Sequence, residues 1–264
     1  MLAASIKEKI RGGGVSIGTW MSLPHVTTAE ILAGAGYDWV CIDAEHTAVG
    51  ASEINQLLIA ISGQGVAPLV RISWVDPIQA KVAMDSGAAG VIFPMVNTRA
   101  EAELAVRSVK YPPMGTRGMG LARAHRYGPG FAEYIERANR DALVIVQIEH
   151  VDAVANIDEI LSVEGVDGTF IGPYDLSSSM GIPGELDHPD MRVAQDRVLK
   201  ATLDRGMIAG MHLVHPATVG ALLPDAIARG YRFIALGADI LFLGETCRAL
   251  HETARGIIAE TDGG

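Results

Sequence analysis

Residues Leu143–His150 read LVIVQIEH, and this stretch decides the fold class. Its first four residues are apolar with no polar alternation, which is typical of a strand buried on both faces of a parallel sheet. Gln147 and Glu149 are two positions apart, so on a strand their side chains face the same way. A buried parallel strand that ends in polar side chains on one face predicts an α/β protein with a functional site at the carboxyl end of that strand.

The same pattern of a short apolar run, a turn and a longer helical period repeats on both sides of this stretch. The apolar runs are Val15–Leu23, Asp38–Asp43, Pro68–Ile72, Gly90–Val96, Leu143–Ile148, Gly168–Ile171, Met207–Leu213 and Arg232–Leu236. The helical periods are Thr28–Gly36, Ser52–Ser62, Pro77–Ser86, Arg99–Val109, Ala153–Leu161, Asp190–Arg205, Ala217–Ala228 and Leu241–Ala259. Eight strands alternating with eight helices predict a (β/α)8 TIM barrel that fills residues 1–264 as one domain.

Charge and composition argue against two classes of binding partner, nucleic acids and membranes. The net charge of −10 argues against nucleic acid, which favours a basic face, and no apolar stretch reaches the roughly 18 residues that a membrane span needs. The two cysteines, Cys41 and Cys247, form no Cys-x-x-Cys pair, and the first residues lack the apolar core of a signal peptide. We therefore expect a cytoplasmic enzyme that acts on a small molecule.

Polar residues follow four of the predicted strands, where the active site of such a barrel lies. They are Asp43, Glu45 and His46 after strand two, Arg71 after strand three, Glu149 after strand five and Asp175 after strand six. Two carboxylates on neighbouring strand ends supply hard oxygen ligands for Mg²⁺ or Mn²⁺. The spacing alone leaves a second interpretation open, in which Glu149 and Asp175 cap helices or pair with arginines.

His46 and Arg71 also have two interpretations each. A lone histidine is more often a packed core residue, but its place after two acids favours a general base. Arg71 fits either a structural ion pair or a fork that holds a carboxylate. His212 and His215, near the end of strand seven, are more typical of packing than of a site, and the long irregular stretch Tyr111–Gly130 favours a functional loop.

The lysines decide one point of mechanism. The chain has five, Lys7, Lys9, Lys81, Lys110 and Lys200, and none falls at the end of a predicted strand. A Schiff-base aldolase needs a lysine there. If the chain is an aldolase, a metal is therefore expected to stabilise the enolate.

The sequence resembles the HpcH/HpaI family of class II pyruvate aldolases over nearly its whole length. The resemblance rests on ordered motifs: Gly18-Thr19-Trp20, Ile42-Asp43-x-Glu45-His46, Val70-Arg71, Phe93-Pro94-Met95-Val96, Tyr111-Pro112-Pro113-x-Gly115-x-Arg117-Gly118, Gln147-Ile148-Glu149 and Ile171-Gly172-Pro173-x-Asp175-Leu176-Ser177. It implies a barrel of the phosphoenolpyruvate/pyruvate type. It also implies a homo-oligomer, a hexamer built as a trimer of dimers, with the last helix exchanged between subunits.

The resemblance assigns roles to individual residues. It implies that Glu149 and Asp175 bind Mg²⁺, Mn²⁺ or Co²⁺, that Arg71 contacts the keto oxygen of pyruvate, and that His46 forms a proton-transfer dyad with Asp85. Further positions are implied to hold water or to line the substrate site: Glu45, Gln147, Trp20, Asp43, and the backbone from Gly172 through Tyr174 to Asp175.

The reaction implied is reversible cleavage of a 4-hydroxy-2-oxo acid into pyruvate, or hydroxypyruvate, and an aldehyde through a metal-bound enolate, with oxaloacetate decarboxylation as a side activity. Proton removal is assigned either to His46 through a water or to metal-bound hydroxide. Three alternatives remain at this stage: a lyase of the citrate-lyase β type acting on a CoA thioester, a decarboxylase like macrophomate synthase, and a catalytically silent binding protein.

Overall fold

The computed structural model describes residues 2–262 and contains a closed barrel of eight parallel strands in sequence order, in which the first strand pairs with the last. The predicted TIM-type barrel is therefore confirmed, and each observed strand overlaps a predicted run, with β3 beginning one residue earlier and β8 ending two residues later than predicted. The strands are β1 Ser16–Met21, β2 Trp39–Asp43, β3 Ala67–Arg71, β4 Gly90–Phe93, β5 Leu143–Ile148, β6 Gly168–Ile171, β7 Ile208–Leu213 and β8 Phe233–Ala238.

Helices follow the strands and surround the barrel. They are α1 Leu2–Arg11, α2 Val26–Gly34, α3 Ala51–Gly63, α4 Pro77–Asp85, α5 Arg99–Val109, α6 Phe131–Asp141, α7 Val151–Ala155, α8 Ile157–Ile160, α9 Pro173–Ser179, α10 Pro189–Asp204, α11 Val219–Arg229 and α12 Asp239–Asp262. The predicted helix over Ala153–Leu161 is divided into α7 and α8. The sequence prediction missed α6, although Phe131, Tyr134, Ile135 and Ala138 follow a helical apolar period, and it missed α9, which has only seven residues.

Strand residues alternate between two apolar cores. Inward side chains such as Trp39, Phe170 and Phe233 pack together inside the barrel, whereas the alternate residues face the helices. The Trp39 and Phe233 rings stack at 4.2 Å, and a Cβ atom on Gly18 would collide with the Trp39 ring. The inward positions are therefore fixed by packing along most of each strand, and only their last residues are available for chemistry.

The last helix, α12, differs from the others in its packing. Its apolar side chains Leu243, Leu250 and Ile257 are 59%, 67% and 60% exposed. No helix within residues 2–262 combines the length and the apolar character that crossing a membrane requires. The single-domain span of 1–264 stays a prediction, and its ends, Met1, Gly263 and Gly264, lie outside the described residues.

Candidate active site

The carboxyl end of the barrel carries a ring of inward polar residues. Trp20 of β1, Asp43 of β2 and Arg71 of β3 lie on one side of this ring, and Gln147 of β5 and Glu149, which directly follows that strand, lie on the other. Each of these positions is an even number of residues from the interior core residues of its strand, so its side chain also faces the barrel interior. The predicted site residues on these four strands are therefore brought to one mouth.

Arg71 is held in place by two acids from β2 and the loop after it. Its Nε donates to Asp43 Oδ1 at 3.0 Å, and its Nη2 lies 2.8 Å from Asp43 Oδ2. Its Nη1 lies 3.1 Å from Glu45 Oε2, and this contact is an ion pair only, since that oxygen has no hydrogen-bond partner. The acids raise the pKa of Arg71 against the lowering effect of burial. Because an arginine carries five N–H groups, N–H groups on both terminal nitrogens remain available for a ligand.

The Trp20 ring fixes the plane of this arginine. The Arg71 guanidinium carbon lies 4.4 Å from the ring centroid, a cation–π contact. Trp20 also packs edge-on against Phe170, with 5.6 Å between the two ring centroids. Its indole Nε1 is buried and has no hydrogen-bond partner. The indole therefore contacts both Arg71 and the barrel core, and its N–H group is a donor that makes no hydrogen bond.

Glu149 is buried and accepts two hydrogen bonds within the protein. Its Oε1 accepts from the Met95 backbone N–H at 2.7 Å, and its Oε2 accepts from the Gln147 side-chain amide. Burial raises the pKa of Glu149 to about 7, and the charges of Glu45 and Asp175 add to the effect. A cation is the natural counterpart of a buried carboxylate in an acidic surrounding.

Gly172 makes room for this carboxylate. A Cβ atom at that position would collide with Glu149 Oε2 and would lie 2.9 Å from Gln147 Nε2. Gly172 immediately precedes α9, whose first turn contains Tyr174 and Asp175. Oε2 of Glu149 thus lies against the backbone of the residue that precedes α9.

Asp175 and Tyr174 lie at the rim rather than in the inward ring. Asp175 is exposed, and its charge contributes to the raised pKa of both Glu45 and Glu149. Tyr174 is 43% exposed, and its hydroxyl is 3.2 Å from His215 Nε2. Asp175 therefore approaches the buried Glu149 from the solvent side.

The donor set fits a hard divalent cation. Glu149 and Asp175 supply carboxylate oxygens, and two further oxygens at the mouth, Glu45 Oε2 and Gln147 Oε1, are buried without a hydrogen-bond partner. In the described part of the chain, no three His, Cys, Asp or Glu side chains are grouped to hold a metal. A site with two protein carboxylates suits ions such as Mg²⁺, which keep several water ligands.

The structure does not bring the predicted pair His46 and Asp85 together within one chain. Asp85 is the last residue of α4, a helix that returns to the amino end of β4, whereas His46 follows the carboxyl end of β2. Asp85 Oδ1 instead accepts from Arg117 Nη2 at 2.6 Å. The His46 side chain is 59% exposed, and its Nε2 lies 3.7 Å from Glu45 Oε2. The acid next to His46 is therefore Glu45.

His212, which the sequence analysis interpreted as a packing residue, faces inward. It lies near the carboxyl end of β7 with its ring 5.8 Å from Trp20, and Arg71 and Asp43 influence its pKa. His212 is four residues after the core residue Ile208 on the same strand, and this even spacing could have predicted its inward direction. The absence of lysine from the mouth is confirmed, because all five lysines lie on helices or at the end of one.

Comparisons with known proteins agree with this geometry. The family model of the HpcH/HpaI aldolase/citrate lyase family matches residues 16–244. The chain is 39% identical over 248 residues to the 4-hydroxy-2-oxo-heptane-1,7-dioate aldolase of Shigella sonnei (strain Ss046), a match that covers 93% of each chain.

Two solved structures share the whole barrel. The crystal structure of the HpcH/HpaI aldolase from Desulfitobacterium hafniense DCB-2 has a TM-score of 0.88 at 33% identity, covering 94% of this chain and 96% of that one. Macrophomate synthase has a TM-score of 0.87 at 25% identity, covering 98% of this chain and 93% of that one. With its closed barrel, its acidic mouth and these matches over nearly its whole length, the chain belongs to the HpcH/HpaI aldolase/citrate lyase family.

Proposed function

We propose that the chain is a divalent-metal-dependent aldolase that reversibly cleaves a 4-hydroxy-2-oxo acid into pyruvate, or hydroxypyruvate, and an aldehyde. One observation carries the proposal: Arg71, with N–H groups still available, lies in the same inward ring as the buried carboxylate of Glu149. The relatives named as 4-hydroxy-2-oxo-heptane-1,7-dioate aldolases support the same reaction class.

The metal would be held by Glu149 and Asp175, with Mg²⁺, Mn²⁺ and Co²⁺ as candidates. A bound divalent cation supplies Lewis acidity to a carbonyl that carries no charge in the ground state. The chain's part is to keep both carboxylates in place. The Met95 N–H and the Gln147 amide orient Glu149, and Gly172 leaves the space into which its carboxylate extends.

Arg71 stabilises the negative charge that develops on the keto oxygen as the bond between C3 and C4 breaks. Asp43 and Trp20 hold the guanidinium before the substrate arrives, so little reorganisation is needed during the reaction. In the first turn of α9, the backbone N–H groups of Tyr174 and Asp175 are offered to the substrate carboxylate, because Pro173 has no N–H and the Gly172 N–H donates to the Ile148 carbonyl. These groups orient the 2-oxo acid with its keto oxygen toward Arg71.

Cleavage also needs a base for the proton of the 4-hydroxyl. We assign this role to His46 acting through a water, because Glu45 Oε2 is 3.7 Å from His46 Nε2 and can stabilise the imidazolium that forms on proton transfer. Burial raises the pKa of Glu45 itself to about 7, so this carboxyl exchanges protons near neutral pH. His46 is exposed at the mouth, where a water can reach both the imidazole and the substrate.

The related alternatives differ in what they require of the chain. A CoA thioester lyase needs free basic groups for phosphates, and the loop offers Arg117, Arg123 and Arg126. Arg117 is paired with Asp85, and Arg123 donates to Ser86 O and Ser62 Oγ, so that only the exposed Arg126 among these three is left for a phosphate. The macrophomate-synthase likeness favours oxaloacetate decarboxylation, which uses the same enolate, as a side activity. Decarboxylation of oxaloacetate with no aldehyde cleavage would make the decarboxylase the main function.

Metal removal tests the proposal directly. We expect EDTA to abolish pyruvate release from a 4-hydroxy-2-oxo acid, and Mg²⁺, Mn²⁺ or Co²⁺ to restore it, with lactate dehydrogenase reporting the pyruvate. Borohydride added with substrate should leave the mass of the protein unchanged. Full activity in EDTA, together with a borohydride-trapped adduct, would replace the metal mechanism with a Schiff base.

We also propose a homo-oligomer in which α12 crosses to a neighbouring subunit. The helix has 24 residues and carries exposed apolar residues along most of its length, among them Leu250 and Ile257. Such a surface is unusual on a monomer. Light scattering should give a hexamer, and Leu250→Glu with Ile257→Glu should give smaller species.

The two cysteines are free, which fits the reducing cytoplasm expected from the sequence.

A further inference from the structure

The carboxylate of Glu149 is held by a backbone group from the neighbouring loop. Its Oε1 accepts from the Met95 N–H at 2.7 Å. Glu149 directly follows β5, whereas Met95 lies in the short segment between β4 and α5, residues 94–98. The direction of this N–H group therefore depends on the backbone conformation of a segment that does not itself carry a metal ligand.

Met95 has a backbone conformation that a side chain disfavours. Its φ is 52°, in the left-handed region, where a Cβ atom lies too close to a neighbouring carbonyl oxygen. A residue other than glycine remains in this region only when the structure around it holds it there. The contacts of the 94–98 segment must therefore stabilise the conformation that directs the Met95 N–H to Glu149.

The chain directly after Met95 is held at both backbone groups of Asn97. The Asn97 N–H donates to Glu101 Oε2 at 2.7 Å, and the Asn97 carbonyl oxygen accepts from Asn156 Nδ2 at 2.9 Å. Between Met95 and Asn97, the side chain of Val96 is fully buried in the core that surrounds the strands. Because β4 fixes the chain before Met95 and these contacts fix it afterwards, the φ of Met95 cannot relax.

Of the two side chains that hold Asn97, Asn156 belongs to the part of the chain that also carries Glu149. Glu149 is followed by α7, and Asn156 is the residue at which α7 ends and α8 begins. The contacts form a closed path from Glu149 along α7 to Asn156, across to Asn97, and back through Met95 to Glu149. The hydrogen bond of Asn156 therefore fixes the Met95 N–H relative to the carboxylate that it contacts.

We propose that Asn156 is a positioning residue for the metal site, which keeps the Met95 N–H on Glu149 by holding the Asn97 carbonyl. It acts through the orientation of the Glu149 carboxylate and contacts neither metal nor substrate. A carboxylate that loses an oriented donor is free to rotate, and this freedom is lost again when a cation binds, which lowers the affinity for the cation. This inference rests on the proposed metal-binding role of Glu149.

A double-mutant cycle tests the proposal, with the dissociation constant for Mn²⁺ measured by calorimetry. Asn156→Ala should weaken Mn²⁺ binding about tenfold, as expected for a residue that orients a metal ligand. In a Met95→Gly background the same change should weaken binding less than about threefold, because glycine adopts positive φ without strain and keeps the N–H in place. In a Met95→Ala background the full effect should remain, because alanine keeps the Cβ atom.

Asn139→Ala is the matched control. In α6, which ends at the amino end of β5, the Asn139 amide donates to the Tyr111 carbonyl oxygen at 2.9 Å, the same kind of bond as that of Asn156. Asn139→Ala should lower the melting temperature and leave the dissociation constant for Mn²⁺ unchanged. An equal loss of affinity from Asn156→Ala with Met95 and with glycine at that position would overturn the proposal, and so would no loss at all. Failure of the wild type to bind Mn²⁺ would instead contradict the proposed function.

Single changes at Met95 decide the question if Asn156→Ala does not fold. Met95→Gly should keep the wild-type affinity for Mn²⁺ within about threefold. Met95→Val should lose about tenfold, because a β-branched side chain strongly disfavours positive φ. Equal dissociation constants for these two variants would show that the left-handed conformation does not matter for the metal, and the role of Asn156 would be refuted.

Discussion

Both ends of the barrel bury charged side chains, and the two ends partner them differently. At the amino end, Lys7 Nζ lies 2.7 Å from Asp167 and donates to the carbonyls of Arg140 and Ala142, at 3.0 Å each. Lys110 Nζ donates to the same Ala142 oxygen at 2.8 Å. These cations are bound by groups of the chain itself.

At the carboxyl end, the buried carboxylate of Glu149 has no cationic partner among the described residues and accepts hydrogen bonds only from the Met95 N–H and the Gln147 amide. Trp20 Nε1 and Gln147 Oε1 are also buried there without a hydrogen bond, as are Ser16 Oγ and Trp39 Nε1 at the amino end. Each unpaired buried group costs about 1–3 kcal/mol, a cost that a ligand or water can remove. The difference indicates that the amino end is built for stability and the carboxyl end for binding, and mutations at the two ends should separate these effects.

Glu149→Gln should have the largest effect and act on activity alone. The change keeps the shape of the side chain but removes its charge, so metal binding should be lost. We expect kcat/KM for cleavage to fall about 10³-fold, since several kcal/mol of charge stabilisation are removed and each 1.36 kcal/mol is a factor of ten. Steady-state kinetics measures the fall in kcat/KM, and calorimetric titration with the metal measures the loss of metal binding.

The melting temperature of Glu149→Gln should stay at or above that of the wild type measured without metal, because a buried charge disappears. Glu103→Gln, at a half-exposed ion pair with Arg99, is the matched control and should keep full activity. Activity within tenfold of the wild type would show that Glu149 does not bind the metal.

Arg71→Lys should have the next largest effect at the same end. Lysine keeps the charge but loses the fork to Asp43 and the planar contact with Trp20. We expect kcat to fall about 10²-fold through weaker stabilisation of the developing charge. Pyruvate proton exchange should fall by the same factor. A higher KM with unchanged kcat would mean that Arg71 only binds the ground state.

Strand parity made much of this mouth predictable from the sequence. Gln147 and Glu149 are two apart on an apolar strand, so their shared inward direction follows from geometry. The positions of the strands could also be predicted, because strands buried in a parallel sheet are continuous apolar runs. The same rule applied to β7 also places His212 in the ring, but a lone histidine carried no further signal in the sequence.

Contacts between distant elements were not predictable in this way. The partner of Asp85 is Arg117, 32 residues away in the loop between α5 and α6. No periodicity relates a helix end to an irregular loop, so the residue pattern did not show this pair. The backbone contact of Met95 with Glu149 was hidden for the same reason.

Lys7→Met should act on stability alone, at the amino end. The change leaves Asp167 and the Arg140 carbonyl without their cation. We expect a loss of about 2 kcal/mol in the free energy of unfolding, as for a charged hydrogen-bonded group. Urea denaturation measures the loss, and kcat per folded molecule should not change.

The matched control for Lys7 is its neighbour Lys9 in α1. Lys9 forms an exposed ion pair with Asp38 at 2.7 Å, and Lys9→Met should cost less than about 1 kcal/mol. Equal effects of the two changes, or a loss of activity in Lys7→Met, would contradict the division between the two ends of the barrel.

Lys110 gives the smallest effect, and the effect appears as a dependence on pH. Burial lowers the pKa of Lys110 from 10.5 to about 8. Between these values the unfolded chain binds more protons than the folded one, so the contribution of Lys110 to stability rises with pH in this window.

Comparison with Lys110→Met isolates this contribution, because the other titrating groups are common to both proteins. From pH 7.5 to 9.0, the stability of the wild type relative to Lys110→Met should increase by about 1 kcal/mol. Urea denaturation at four pH values in this range measures the difference. A constant difference would mean that the folded protein keeps Lys110 charged at little cost, because the carbonyls of Asn139 and Ala142 replace its water fully. A difference that grows with pH would show that even the well-partnered end of the barrel holds a buried charge at a cost.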